Sequence, residues 1–159
     1  MKAEHAREHL ALVLSFFPRV ESQINVLVTL EVVMVGYLVS RLPKPDAWAD
    51  LTLPALLLLA ITGAAFLASL LMLYFASFPN LKGGENSMIY FRAIAGRSEL
   101  SFSESYAHLE ADDLLPDLSE QIWRNAQILT LKYARLKHGF ICFGGAAVAW
   151  AATLVLLPT

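Results

Sequence analysis

Charged residues are absent from three long windows of the chain, 24–40, 51–77 and 140–157, with the single exception of Glu31. An α-helix rises about 1.5 Å per residue, so crossing roughly 30 Å of hydrocarbon takes about 20 apolar residues. Residues 51–77 exceed that length without a charge and predict a membrane span. Residues 140–157 are shorter and stop at Pro158, but they gain length if their helix begins upstream. Residues 24–40 contain Asn25 and Glu31, yet Arg19 and Arg41 bracket an apolar stretch with basic and aromatic anchors at both ends, which predicts a span over about 20–41. The expected fold class is an all-α integral membrane protein. A helical hairpin, with spans about 20–41 and 51–77, is joined by a long C-terminal helix running from a cytoplasmic helical segment through the bilayer.

The stretches between the spans add detail. Lys2 and Arg7 precede the apolar LALVLSFF, an arrangement that resembles a signal peptide, but the stretch is short, Pro18-Arg19 follows it and no A-x-A-like cleavage site appears. Residues 1–19 therefore read as a retained arm. Leu10, Val13, Leu14 and Phe17 share one face of a short interfacial helix ending at Pro18, or form the first turns of the first span. Pro43 and Pro45 break the connection, and Thr52 followed by Pro54 predicts a helix start. Pro79 and Gly83-Gly84 mark the exit from the second span. Within the polar segment 78–139, Ser101-Phe-Ser-Glu104 and Asp117-Leu-Ser-Glu120 match capping boxes that open helices. No Gly or Pro lies between Asp117 and Gly139, so one helix of about 40 residues is expected to run into the third span, 140–157. Ten of the 12 Lys and Arg fall in the arm and the long polar segment, leaving only Arg41 and Lys44 in the short connection. That bias predicts a cytoplasmic N-terminus and an extracytoplasmic C-terminus.

Composition narrows the classes of function. The chain is 57% hydrophobic and 16% charged with a mean hydropathy of +0.53, which excludes disorder and requires a bilayer. A net charge of -2 provides no overall field for a nucleic acid polymer, so any ligand electrostatics must be local. Cys142 is the only cysteine, and His5, His9, His108 and His138 show no metal-ligand spacing. Neither a nucleophile with its base nor a metal cluster is visible, and no enzyme activity and no cofactor are expected.

Two sets of polar residues remain as candidates. Glu31 lies mid-span, where an acid costs on the order of 2.5–3.5 kcal/mol on insertion scales. It is either neutral and bonded to a neighbouring helix or lines a pore. Ser22, Asn25, Thr29, Gly36 and Ser40 share an arc of about 60° on the face opposite it. In a three-span monomer one of these faces must meet lipid, which predicts self-association. Ala60, Ala64 and Ala68 in the second span, with Gly145 and Ala149 in the third, offer close-approach spacing for a bundle or oligomer. The second set lies on the last helix. Leu118, Ile122, Leu129, Tyr133 and Leu136 share an apolar face, whereas Gln121, Arg124, Ile128, Lys132 and Arg135 form a basic stripe. These cations are either anchors for anionic lipid heads or the wall of a phosphate pocket with Gln121 and Asn125 beside it. Arg135 and Lys137 are close enough to the bilayer to be anchors, whereas Arg124 lies about three turns further out and needs another explanation.

Two blocks carry a family resemblance: FPRVESQINVLVTLEVVMVGYL, and SMIYFRAIAGRSELSFSESYAHLEADDLLPDLSEQIWRNAQILTLKYARLKHGF. With the hairpin between them they resemble the transmembrane effectors of Pycsar, the bacterial anti-phage system that signals with cyclic pyrimidine mononucleotides. The Tyr90-Phe91 pair, Gln121 to Asn125 and Lys132-Tyr133 are the most specific parts. Glu21 and Glu31 stand where the family pattern has acids, and Gln23 stands where it has a lysine. The resemblance implies an effector in the bacterial inner membrane, activated by cCMP or cUMP from a partner pyrimidine nucleotide cyclase, that responds by impairing that membrane. With the self-association expected from the helix faces, the mechanism expected here is a homo-oligomer that opens a leak. From residue chemistry, the expected ligand contacts are Arg124 with Arg92 or Arg97 and Lys132 for phosphate, Gln121 and Asn125 for the base, and Tyr90 or Trp123 for stacking. Glu31 and Asn25 are the expected intramembrane polar residues. Two other classes stay open: a membrane scaffold recruiting a partner through residues 78–139, and a small ion or proton carrier using Glu31.

Overall fold

The computed structural model describes residues 2–78, 87–110 and 113–157. The described elements are all helical: α1 (Lys2–Leu14), α2 (Phe17–Arg41), a 3-10 turn (Pro45–Asp50), α3 (Leu53–Ser77), α4 (Phe91–Ala95), α5 (Glu99–Ala107) and α6 (Leu114–Leu156). Three helical stretches, Lys2–Arg41, Leu53–Ser77 and Leu114–Leu156, are long and apolar enough to cross a membrane. The fold is that of an all-α membrane protein with a hairpin and a long C-terminal helix.

Local chemistry sets the breaks. α1 stops at Leu14, earlier than the expected Pro18, and Ser15 Oγ donates to the Leu12 carbonyl at 2.6 Å. Pro18 instead falls in the first turn of α2, where its missing N–H leaves no helical bond unmade. Thr52 caps α3 with Pro54 just inside it, as the sequence predicts. The cap of α5 is Ser98, whose hydroxyl accepts from Ser101 N at 3.3 Å, so the helix begins one turn before the predicted box. α6 likewise starts at Leu114, which moves Asp117 into its first turn.

The chain divides into two compact units. The first combines Met1–Arg19 with Pro79–Leu131, the second Val20–Phe78 with Lys132–Thr159. In the first, Ala3, Ala6 and Leu118 form the core, with Leu10, Ile89, Leu114, Leu115 and Ile122 packed around them. In the second, Val20, Ile24 and Leu27 of α2 meet Leu73 and Ala76 of α3 and Leu136 of α6. Its inner seam also takes polar groups. Thr62 and Thr153 hydroxyls bond across α3 and α6 at 2.9 Å, and Ser69 Oγ donates to the Gly139 carbonyl at 3.0 Å. Gly139 makes the tight contact there: a Cβ would lie 2.9 Å from Leu73 Cδ2 and would force that buried side chain to shift. Ala60, Ala64 and Gly145 are exposed instead, and nothing lies within 4 Å of a Cβ built on Gly36, Gly63, Gly144 or Gly145. The close approach within the chain therefore runs through Gly139, not through the small-residue stripes. Exposed Leu57, Ile61, Val148 and Val155 cover the outside, as a surface solvated by lipid requires.

Candidate functional site

In the first unit, a turn at residues 87–90 leads into α4. Ser87 is buried and its hydroxyl accepts from Ile89 N at 3.1 Å and Tyr90 N at 2.7 Å, so one short side chain folds the backbone of the turn. Asp117 completes it, with Oδ2 accepting from Met88 N at 2.8 Å. One helical turn further along α6, the buried Gln121 points its Nε2 at Ser87 Oγ, 3.5 Å away, a marginal bond. Asn125 follows on the same face and donates to the Gln121 carbonyl at 2.7 Å. Arg97 approaches from beyond α4, its guanidinium 2.9 Å from Met88 Sδ, and the Tyr90 and Phe91 rings lie tilted at 59° with centroids 5.0 Å apart.

Tyr90, Arg97 and Gln121 of the residues expected from sequence meet at this turn, and Asn125 lies one helical turn along α6 from Gln121. Arg124 lies beside Asn125 on α6 and forms an ion pair with Glu120, with guanidinium nitrogens 2.6 and 2.8 Å from Oε1. Arg92 is exposed on α4, and Trp123 is 61% exposed on the outer side of α6. Lys132 belongs to the second unit. It is buried there, with Nζ 3.3 Å from Glu21 Oε1 and 3.5 Å from the Ser77 carbonyl, so it joins α2, α3 and α6. Ser87 and Asp117 join the site without being expected from the sequence. The available signal was the i, i+4 spacing of Asp117, Gln121 and Asn125, which puts all three side chains on one face.

Glu31 is fully buried in the second unit, on the same side of α2 as Val20, Ile24, Leu27 and Leu38. Ser69 faces it from α3, but neither carboxyl oxygen has a hydrogen-bond partner among the described residues. Asn25 is exposed on the opposite face, and its carbonyl accepts from Thr29 Oγ1 at 2.8 Å. Among the described residues no group of three or more His, Cys, Asp and Glu could hold a metal ion.

The profile of the Pycsar effector protein domain matches residues 5–157. The chain belongs to the Pycsar effector family. No curated protein and no solved structure matches it. The match takes in both units of the Pycsar effector, so the Ser87–Asn125 cluster and the bundle around Glu31 both lie within the family domain.

Proposed function

We propose that the chain is the membrane effector of a Pycsar anti-phage system in the bacterial inner membrane, with its N-terminus in the cytoplasm. A cyclic pyrimidine mononucleotide, cCMP or cUMP, made by a paired cyclase binds the first unit, and an oligomer of the chain then opens a leak. The observation that carries this function is the family match across both a cytosolic-type polar unit and an apolar bundle, with α6 continuous through the two.

The chemistry of the Ser87 turn fits such a ligand. Arg97 and Arg124, with Arg92 nearby in sequence, supply cations for the phosphate. Gln121 and Asn125 present amides to a base edge, and the long Gln121–Ser87 contact is the easiest of these bonds to exchange for a ligand. Tyr90 offers a ring for stacking, with Trp123 as a second aromatic on α6. Lys132, held by Glu21, serves the helix seam in place of the pocket. A ligand shifts the bundle only if it binds two arrangements differently. In the closed arrangement Glu31 is sealed among helices, and in the leaking one it lines the path.

The test is dye and ion release from liposomes holding the purified protein. Release on adding cUMP or cCMP is expected. Binding of neither nucleotide, together with no release, refutes the proposal.

A further inference from the structure

A second candidate site lies wholly within the helix bundle. α2 and α6 run parallel, because Glu21 meets Lys132 near one end of their contact and the Met34 carbonyl accepts from Trp150 Nε1 at 2.9 Å near the other. Between them, on the outside of the seam, is a groove of about 620 Å³, within the rough 300–1,000 Å³ range of small-molecule sites.

The groove is graded along its length. Its walls are Val26 and Leu27 of α2 against Leu136, Phe140 and Ile141 of α6. Ser22, Gln23 and Tyr133 line the end next to the Glu21–Lys132 pair. Lys137 lies on α6 one turn beyond Tyr133, and helical side chains lean toward the helix N-terminus, which carries its ammonium toward that polar end. The polar end lies where the charges of α6 stop, since no charge follows His138 in the described part of the helix, as a site at headgroup level requires. Lys137 is exposed and has no partner among the described residues, whereas the neighbouring Lys132 is already neutralised.

We propose that this groove holds one anionic glycerophospholipid, with an acyl chain along Val26, Leu27, Phe140 and Ile141 and the phosphate at Lys137 and Tyr133. Charge complementarity selects this occupant. A second copy docking by the same groove about a two-fold axis along the membrane normal would bring Lys137 toward Lys137, a like-charge contact. A cyclic nucleotide would leave most of the apolar wall against a polar ring and sugar. The lipid touches both helices of the seam and so stabilises their closed packing. The site does not depend on nucleotide activation, and it stands or falls separately from that function.

The experiment is native mass spectrometry of the full chain in detergent, titrated with equal dioleoylphosphatidylglycerol and dioleoylphosphatidylcholine. One phosphatidylglycerol per chain should be retained with a preference of about fivefold, which is what one cation near an anionic surface supplies. Lys137→Gln should remove the preference, and Val26→Trp should remove the retained lipid of either kind. Lys44→Gln, which lies outside the groove, should change neither. If Val26→Trp does not fold, Ile141→Trp fills the same groove from α6. Equal retention of both lipids, or a preference untouched by Lys137→Gln, overturns the proposal. Displacement of the lipid by cUMP at its own binding stoichiometry would also overturn it and assign the groove to the nucleotide.

Discussion

Among the described residues, two carboxyls have buried oxygens without a hydrogen-bond partner: Asp117 in the first unit and Glu31 in the second. Asp117 uses its other oxygen to hold Met88 N and so fixes the turn that carries Ser87 and Tyr90. Glu31 uses neither oxygen, although Ser69 faces it and Thr62, Thr153 and Ser69 all find partners along the same seam. An acid with one bond made is a structural support that can tolerate one open valence. An acid with none, deep in an apolar bundle, is retained at the expense of stability, and function is the usual reason. Asp117 therefore supports a local shape, whereas Glu31 is the candidate for the change of state that the proposed function requires.

The largest expected effect breaks the comparison at Glu31. Leucine at this position removes a buried polar group that has no hydrogen-bond partner among the described residues and fills the seam with apolar atoms, which recovers a desolvation penalty of about 1–3 kcal/mol. Glu31→Leu should therefore resist unfolding in a detergent titration better than the parent chain, by a shift in that range, while losing nucleotide-triggered dye release. Lower stability in Glu31→Leu would mean that the carboxyl supports the bundle, and the contrast with Asp117 would collapse.

Next comes Lys132, a buried cation that has found its partner. Its ammonium bridges Glu21 and the Ser77 carbonyl, but Glu21 is 56% exposed and returns to water once released. The loss on Lys132→Met should then be that of a charge-assisted hydrogen bond discounted for screening, about 1–2 kcal/mol in the same titration. Nucleotide affinity, measured by calorimetry, should be unchanged. A drop in affinity without loss of stability would return Lys132 to the ligand site.

How much of this was legible in the sequence depends on which physical signal carried it. The hairpin and the long last helix follow from runs of apolar residues, and α3 begins where Thr52 and Pro54 place it. The inner seam was not legible in the same way, because in lipid hydrophobicity no longer separates inside from outside. Gly139 is the small residue at the tight contact, yet Gly145 and the alanines of α3 have the more regular spacing. The Ser87 turn was hidden for a different reason. Its partner Asp117 lies 29 residues away, beyond the reach of any helical period, and its acid in a capping-box motif suggested a helix start. Lys132 matched a basic stripe by periodicity, but the stripe is divided between two units that bury different side chains.

Asp117 sharpens the comparison from the other side. Asp117→Ala leaves Met88 N without its acceptor and should cost about 1–2 kcal/mol, with weaker nucleotide binding because the turn carrying Tyr90 loosens. Asp117→Asn keeps an oxygen in the same place and should recover most of both losses. Equal damage from Asn and Ala would show that the charge matters and not the bond to the turn.

The smallest structural effect is expected at Arg124, and for that reason it gives the cleanest test of binding. Its ion pair with Glu120 is an i, i+4 contact on a partly accessible part of α6, with side-chain exposures of 31% and 42%. Pairs of this kind contribute about 0.3–0.5 kcal/mol to a helix. Arg124→Ala should therefore unfold almost where the parent does, while a lost guanidinium–phosphate contact lowers cCMP or cUMP affinity by about tenfold, the equivalent of about 1.4 kcal/mol for a charged hydrogen bond. Arg124→Lys should lose less if the contact is a point charge, and as much if the planar, two-pronged guanidinium is what the phosphate requires. Unchanged affinity in Arg124→Ala would remove Arg124 from the ligand site and leave Arg97, beside Met88 in the turn, as the principal cation there.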